Sequence, residues 1–209
     1  MLRIEDIAGG VRCIGLDRAP KRNAIGVEMT LALQEVLMRT QHDAQVHTVV
    51  FHGIGGHFCA GMDIKDFFDS SSRPPEVLRR ARAATEHWRT RLLRQMPQTL
   101  ITAVQGSCFG AAIPILEASA VVFAGQDSRF GLPEVNFGLV PGSQILKSAG
   151  KVMTPRGLAY AALTGRPFDA GRARSWGLVT HVVDGDPLES AVAFAQGLSA
   201  DRSRQPMAV

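Results

Sequence analysis

Cysteine is scarce and scattered in this 209-residue chain: Cys13, Cys59 and Cys108, with no Cys-x-x-Cys spacing. An odd number without paired spacing argues against a disulfide framework and against a zinc site. Tyrosine is scarcer still, with Tyr160 alone, and aromatic residues make up 6%. No apolar run nears the roughly 20 residues that a membrane-spanning helix needs. The segment Met1 to Asp6 has no apolar centre of the kind a secretory signal carries. Neither Gly-x-Gly-x-x-Gly nor a phosphate loop ending in Gly-Lys-Ser/Thr occurs. These absences predict a soluble, reducing, cytoplasmic protein with no metal site and no membrane partner.

What is there suits one globular domain: 45% hydrophobic and 20% charged residues, enough to bury a sizeable core. The formal net charge is +4. Arginine crowds one stretch, at Arg79, Arg80, Arg82, Arg89, Arg91 and Arg94, interleaved with Glu76 and Glu86. Leu78, Trp88, Leu92 and Leu93 supply an apolar set beside it, so the stretch reads as a helix with a solvated face. A small polyanion would also suit that charge; a nucleic-acid partner is not expected.

Strand and helix signals alternate, which argues for an α/β protein. Two short strands flank Gly9-Gly10, and a helix follows over 27–41. A β-branched strand over 46–51 leads into a polar insert with Ser70-Ser71-Ser72, and Pro74-Pro75 open the Arg-rich helix. Then come a strand over 100–104, a small-residue turn over 106–112, a short helix over 113–119 and a strand over 121–124. Helical stretches at 143–150 and 155–163, a strand over 178–183 and a helix over 187–199 complete the pattern. Asp169, Arg172 and Arg174 read as a surface turn. The expected organisation is one domain over 1–198 with an irregular tail over 199–209.

Three stretches could carry chemistry. Gly55 to Lys65 and Gly106 to Ala112 each follow a strand and are rich in small residues, so backbone can approach a ligand closely. Facing each other, two such loops could aim two N–H groups at one oxygen, an oxyanion hole. In the third, Phe130 to Gly142, Glu134 is a lone carboxylate among apolar and turn residues. Burial would raise its pKa toward the range of a proton shuttle; an exposed loop glutamate or helix cap is the alternative. His57 reads as a loop histidine, Cys59 and Cys108 as small buried hydrophobes, and Trp88 and Trp176 as core anchors.

Taken in order, Pro20-Lys21-Arg22-Asn23-Ala24, Ala60-Gly61-Met62-Asp63-Ile64-Lys65, Gly106 to Ala112, Phe130-Gly131-Leu132-Pro133-Glu134, and Leu163-Thr164-Gly165 to Gly177-Leu178-Val179 resemble the enoyl-CoA hydratase/isomerase (crotonase) superfamily along nearly the whole chain. The resemblance implies a spiral of β-β-α turns that binds an acyl-CoA thioester, with CoA as part of the substrate and no separate cofactor. It places the oxyanion hole on the N–H groups of Met62 and Ala111 and the acid/base on Glu134. CoA contacts fall on Lys21, Arg22, Ala24, Ala60, Asp63 and Ile64. It also implies a homotrimer or hexamer, and a C-terminal helical region that is largely missing here.

The chain departs from that pattern where typical hydratases carry a second catalytic glutamate: the position is Pro114. Glu117 lies one helical turn on and is expected to point elsewhere rather than substitute. The loop reads Gly110-Ala111-Ala112 where the family usually has three glycines. Among subgroups, the hydroxycinnamoyl-CoA (feruloyl-CoA) hydratase-lyases resemble the chain more closely, and they too work with one glutamate. Their substrate-holding tyrosine corresponds to Phe67. The sequence leaves isomerase, hydratase and lyase chemistry open. It also leaves open a non-catalytic thioester-binding or assembly subunit, and action on carrier-protein-tethered acyl groups.

Overall fold

The computed structural model describes residues 1–69 and 73–202. The Ser70–Ser72 insert and the tail from 203 lie outside the described residues. Strands β1 (Leu2–Ile7) and β2 (Val11–Leu16) form an antiparallel hairpin that pairs Leu2 with Leu16 and Ile7 with Val11. A 3-10 turn leads to helix α1 (Val27–Thr40), and strand β3 (Thr48–Gly53) follows. Next come α2 (Ile64–Phe68), α3 (Pro75–His87), a π-helical turn Trp88–Leu92 and the short α4 (Leu93–Gln95).

The second half contains β4 (Thr99–Val104), β5 (Ser107–Phe109), α5 (Ile113–Ala118), β6 (Val121–Gly125) and β7 (Arg129–Gly131). It continues with α6 (Ser143–Val152), α7 (Pro155–Thr164), β8 (Phe168–Asp169), α8 (Ala170–Ser175), β9 (His181–Val183) and α9 (Pro187–Arg202).

Six strands form one sheet in the order β1-β2-β3-β4-β6-β9, parallel from β2 onward, and β5-β7-β8 form a second, smaller one. Strands β3 and β4 are buried almost throughout, because helices cover both faces of the parallel part. Side chains alternate between those faces. Val49, Phe51, Leu100 and Val104 enter the main core with Leu33 of α1 and Trp88. Val50, Ile101 and Ala103 face the other way, onto Ala191 and Ala195 of α9.

The chain repeats one movement: a strand of the large sheet, a strand or bridge of the small one, then helix. After β3 comes Cys59, bridged to Cys108; after β4 comes β5, and after β6 comes β7. This is the α/β spiral of β-β-α turns expected from the sequence. Several local expectations need correction. The 106–112 turn contains β5, and neither β7 nor β8 was anticipated, since two or three residues carry too little periodicity. Asp169, Arg172 and Arg174 are on the surface as expected, but they belong to α8 rather than a turn: Asp169 is its N-cap, accepting a hydrogen bond from the Arg172 N–H at 2.8 Å. Helix α9 also runs on to Arg202 rather than fraying at Ser199.

One buried side chain fixes the loops that precede the site. Asn23 is fully buried and left-handed, with φ of 57°. Its Oδ1 accepts the Arg18 N–H at 2.8 Å, and its Nδ2 donates to the carbonyls of Ile54 (2.9 Å) and His57 (2.7 Å). Asn23→Ala removes all three bonds and places a less suitable residue in a left-handed conformation. We expect a loss of about 2–4 kcal/mol in urea unfolding. Lys21→Ala, on the exposed side of the same loop, should stay within about 0.5 kcal/mol of wild type.

Candidate active site

The spiral brings three segments to one place because they occupy the same phase of successive turns. Cys59 bridges Cys108, and Cys108 pairs with Phe130. Met62 and Ala111 each lie three residues beyond that row, and Glu134 lies four beyond it. The register is held by the Phe109 N–H on the Cys59 carbonyl (3.0 Å) and the Cys59 N–H on the Ser107 carbonyl (2.8 Å).

The approach is close enough to require glycine. Gly61 has φ of 99°, and a Cβ there would lie 3.0 Å from the Phe109 carbonyl oxygen and 3.7 Å from Ala111 N. The segment before α2 is pinned on its other side by Ile25. The Ile25 N–H donates to the Gly61 carbonyl (2.8 Å), and the Asp63 N–H donates to the Ile25 carbonyl (3.0 Å). In a parallel bridge those flanking groups carry the bonds, so the N–H of Met62 itself turns away from Ile25. Ala111 sits in the 3-10 turn Gly110–Ala112, whose first N–H groups have no acceptor within the turn.

Glu134 follows β7 on the 3-10 turn Pro133–Phe137. Its carboxylate rests against Gly110, where an added Cβ would run into Oε1. Oε2 is buried and has no hydrogen-bond partner. Burial raises the Glu134 pKa, against the smaller opposing effects of its own backbone N–H and the charge of Arg89. The carboxylate faces a cavity of about 570 Å³ whose walls include Met62, Ala111, Phe109, Leu139 and Ile145.

Of the residues expected from the sequence, Met62, Ala111, Glu134, Ala60 and Ile64 line this cavity, while Lys21, Arg22, Ala24 and Asp63 do not. The latter four sit alongside it: the Ala60 N–H donates to the Arg22 carbonyl at 2.8 Å. Asp63 is engaged structurally. It N-caps α2 and receives Arg18 Nη1 at 2.8 Å, and Arg18 also holds the Ala24 carbonyl. Burial acts to raise the Asp63 pKa, but the Asp66 N–H and Arg18 together hold it below the usual carboxylate range.

Glu117 points elsewhere. Its carboxylate is paired with Arg94 at 2.6 Å and Lys151 at 2.9 Å. The thiols of Cys59 and Cys108 are fully buried, and desolvation pushes Cys59 up to about 12, so both behave as small apolar residues. His57 accepts the Ser107 N–H on Nδ1, which makes it a loop fastener.

The sequence reading missed Arg89. Expected on a solvated helix face, it is only 7% exposed and lines the cavity with Glu134. It lies four residues after buried Thr85 and eleven after buried Leu78, at the edge of the helix's inner face, and a π turn begins beside it, where the Leu93 N–H reaches back five residues to the Trp88 carbonyl.

The family model described as enoyl-CoA hydratase/isomerase matches residues 6–206. The chain is 31% identical over 179 residues to the hydroxycinnamoyl-CoA hydratase-lyase of Pseudomonas fluorescens, covering 85% of this chain and 65% of that protein. It is 27% identical over 206 residues to the 1,2-epoxyphenylacetyl-CoA isomerase of Escherichia coli, covering 97% and 76%. The solved structure of an enoyl-CoA hydratase/isomerase from Mycobacterium paratuberculosis superposes with a TM-score of 0.86 over 98% of this chain and 79% of that one. At 22% identity this likeness supports the fold alone. The chain thus spans about two thirds to four fifths of the length of the proteins it matches.

The Glu134 environment has a stability signature. A glutamate with a raised folded-state pKa stabilises most below its unfolded pKa, and that contribution is lost as pH rises through the folded value. Glutamine does not titrate. The melting temperature of Glu134→Gln relative to wild type should therefore climb as pH is raised from about 4 to 7, the ordinary carboxylate lying near 4.3. Parallel melting curves across that range check it.

Proposed function

The chain belongs to the enoyl-CoA hydratase/isomerase family, and from that premise we propose that it acts on an acyl-CoA thioester using one carboxylate as acid/base. The observation that carries this reading is Glu134: half-buried, with Oε2 buried and unpartnered, raised in pKa, and resting on the Gly110 turn beside Gly61. The thioester oxygen would accept the N–H groups of Met62 and Ala111. As the α carbon loses a proton, or as water adds at the β carbon, negative charge grows on that oxygen, and each fixed donor stabilises it by about 3–4 kcal/mol.

Glu134 then moves the proton. In an isomerisation it removes one from the α carbon of a 3-enoyl thioester and returns it at the γ carbon. In a hydration it accepts a proton from the water that adds at the β carbon and delivers one to the α carbon. A second carboxylate is not on hand for either route, since Pro114 cannot transfer a proton and Glu117 is held by Arg94 and Lys151. Lys21, Arg22 and Ala24, beside Ala60, Asp63 and Ile64, form the margin along which the CoA portion would lie.

Turnover of crotonyl-CoA, a 3-enoyl-CoA and feruloyl-CoA tests this directly and names the branch. Glu134→Gln should lower kcat by about 10²–10⁴ while CoA binding persists. The acid limb of the wild-type kcat/KM profile should fall above the ordinary carboxylate range and vanish in the variant. Thioester binding with no turnover in either protein would instead support a non-catalytic subunit.

A further inference from the structure

We propose that Arg89 selects the substrate, and that the acyl group this cavity accepts carries a carboxylate. The inference rests on the thioester reading above. Arg89 is more than nine-tenths buried, yet its Nε and Nη2 have no hydrogen-bond partner. Guanidinium groups are seldom left so, because all five N–H donors lose water on burial.

The surroundings show why no side chain among the described residues satisfies it. Glu134 shares the cavity and attracts Arg89 through space without bonding to it, and its own Oε2 stays unpartnered. Glu117 is taken by Arg94 and Lys151. Glu86 lies on an adjoining cavity of about 450 Å³, which also includes Arg82 and Arg89. Arg82 is turned to the Phe67 carbonyl at 3.3 Å and lies over the Phe68 ring.

Arg89 is also held in place rather than swept in by chance. The Trp88 ring lies 5.0 Å from its guanidinium carbon, and Arg94 Nη1 clamps its carbonyl at 2.7 Å. A fixed planar fork of donors with no protein acceptor matches a planar anion with two acceptor oxygens, which is a carboxylate. The thioester oxygen would belong to Met62 and Ala111, so the anion that reaches Arg89 sits on the acyl chain beyond it. Such a ligand also supplies the negative charge that the buried cation lacks.

The test uses length-matched pairs of CoA thioesters: glutaconyl-CoA against 2-pentenoyl-CoA, and 2-hexenedioyl-CoA against 2-hexenoyl-CoA. Affinity and kcat/KM are measured with wild type, Arg89→Met and Arg89→Lys. Wild type should favour the carboxylate-ended member of at least one pair by about tenfold or more, as a charge-assisted bidentate contact provides. Arg89→Met should erase that preference, the ratio within each pair falling to about one, and Arg89→Lys should retain part of it. Arg89→Met should also melt no lower than wild type, since it removes a buried charge that no side chain balances. Equal affinity for both members of each pair in wild type, or a preference that survives in Arg89→Met, overturns the proposal. Should no thioester bind wild type at all, the thioester reading fails and this inference falls with it.

Discussion

Two opposite charges share one apolar cavity without bonding to each other, and the site is organised around that separation. Glu134 keeps an unpartnered oxygen, and Arg89 keeps unpartnered nitrogens. A direct salt bridge would lower the Glu134 pKa and occupy both groups. Held apart, the carboxylate retains a raised pKa and the guanidinium stays available to a ligand. Maintaining that state costs stability, and the well-packed core around Trp88 and Phe51 offsets it.

The fold makes this arrangement by repetition. Because the Cys59, Cys108 and Phe130 positions stack in one row, the residues just beyond each row position converge. Two of them, Met62 and Ala111, carry the backbone N–H groups proposed to receive the thioester oxygen, and the third carries the Glu134 carboxylate. Glycine at 61 and 110 lets the segments approach, since a Cβ at either would meet backbone or the Glu134 carboxylate. The polar fastenings lie behind the reacting face: Asn23 ties two loops together, Arg18 and Asp63 fix the start of α2, and Asp66 accepts the first N–H of α1 at 2.9 Å. Glu117 belongs with these, tying α5 to α4 through Arg94 and to α6 through Lys151.

The sequence made much of this legible. Alternating apolar runs and glycine punctuation marked the larger strands and helices to within a few residues, the small-residue loops suggested two converging N–H donors, and the family resemblance put these on Met62 and Ala111. Glu134 stood out as a carboxylate without charged neighbours. The short strands β7 and β8 escaped because their pairing depends on partners distant in the chain. Arg89 escaped for a sharper reason. Arginine composition assigns it to the solvated face with its neighbours, whereas its spacing of four from Thr85 and eleven from Leu78 puts it at the edge of the buried face. Its signal in the sequence was slight: an arginine directly beside the tryptophan that anchors the helix.

The most direct measurement is a carbon-detected NMR titration of the Glu134 carboxyl in wild type and in Arg89→Met. With the two charges apart in an apolar cavity, the midpoint should lie above the ordinary carboxylate range in wild type. It should move higher still once the stabilising positive charge is gone. A wild-type midpoint at or below the ordinary value would contradict the account, because Glu134 would then be solvated or already paired.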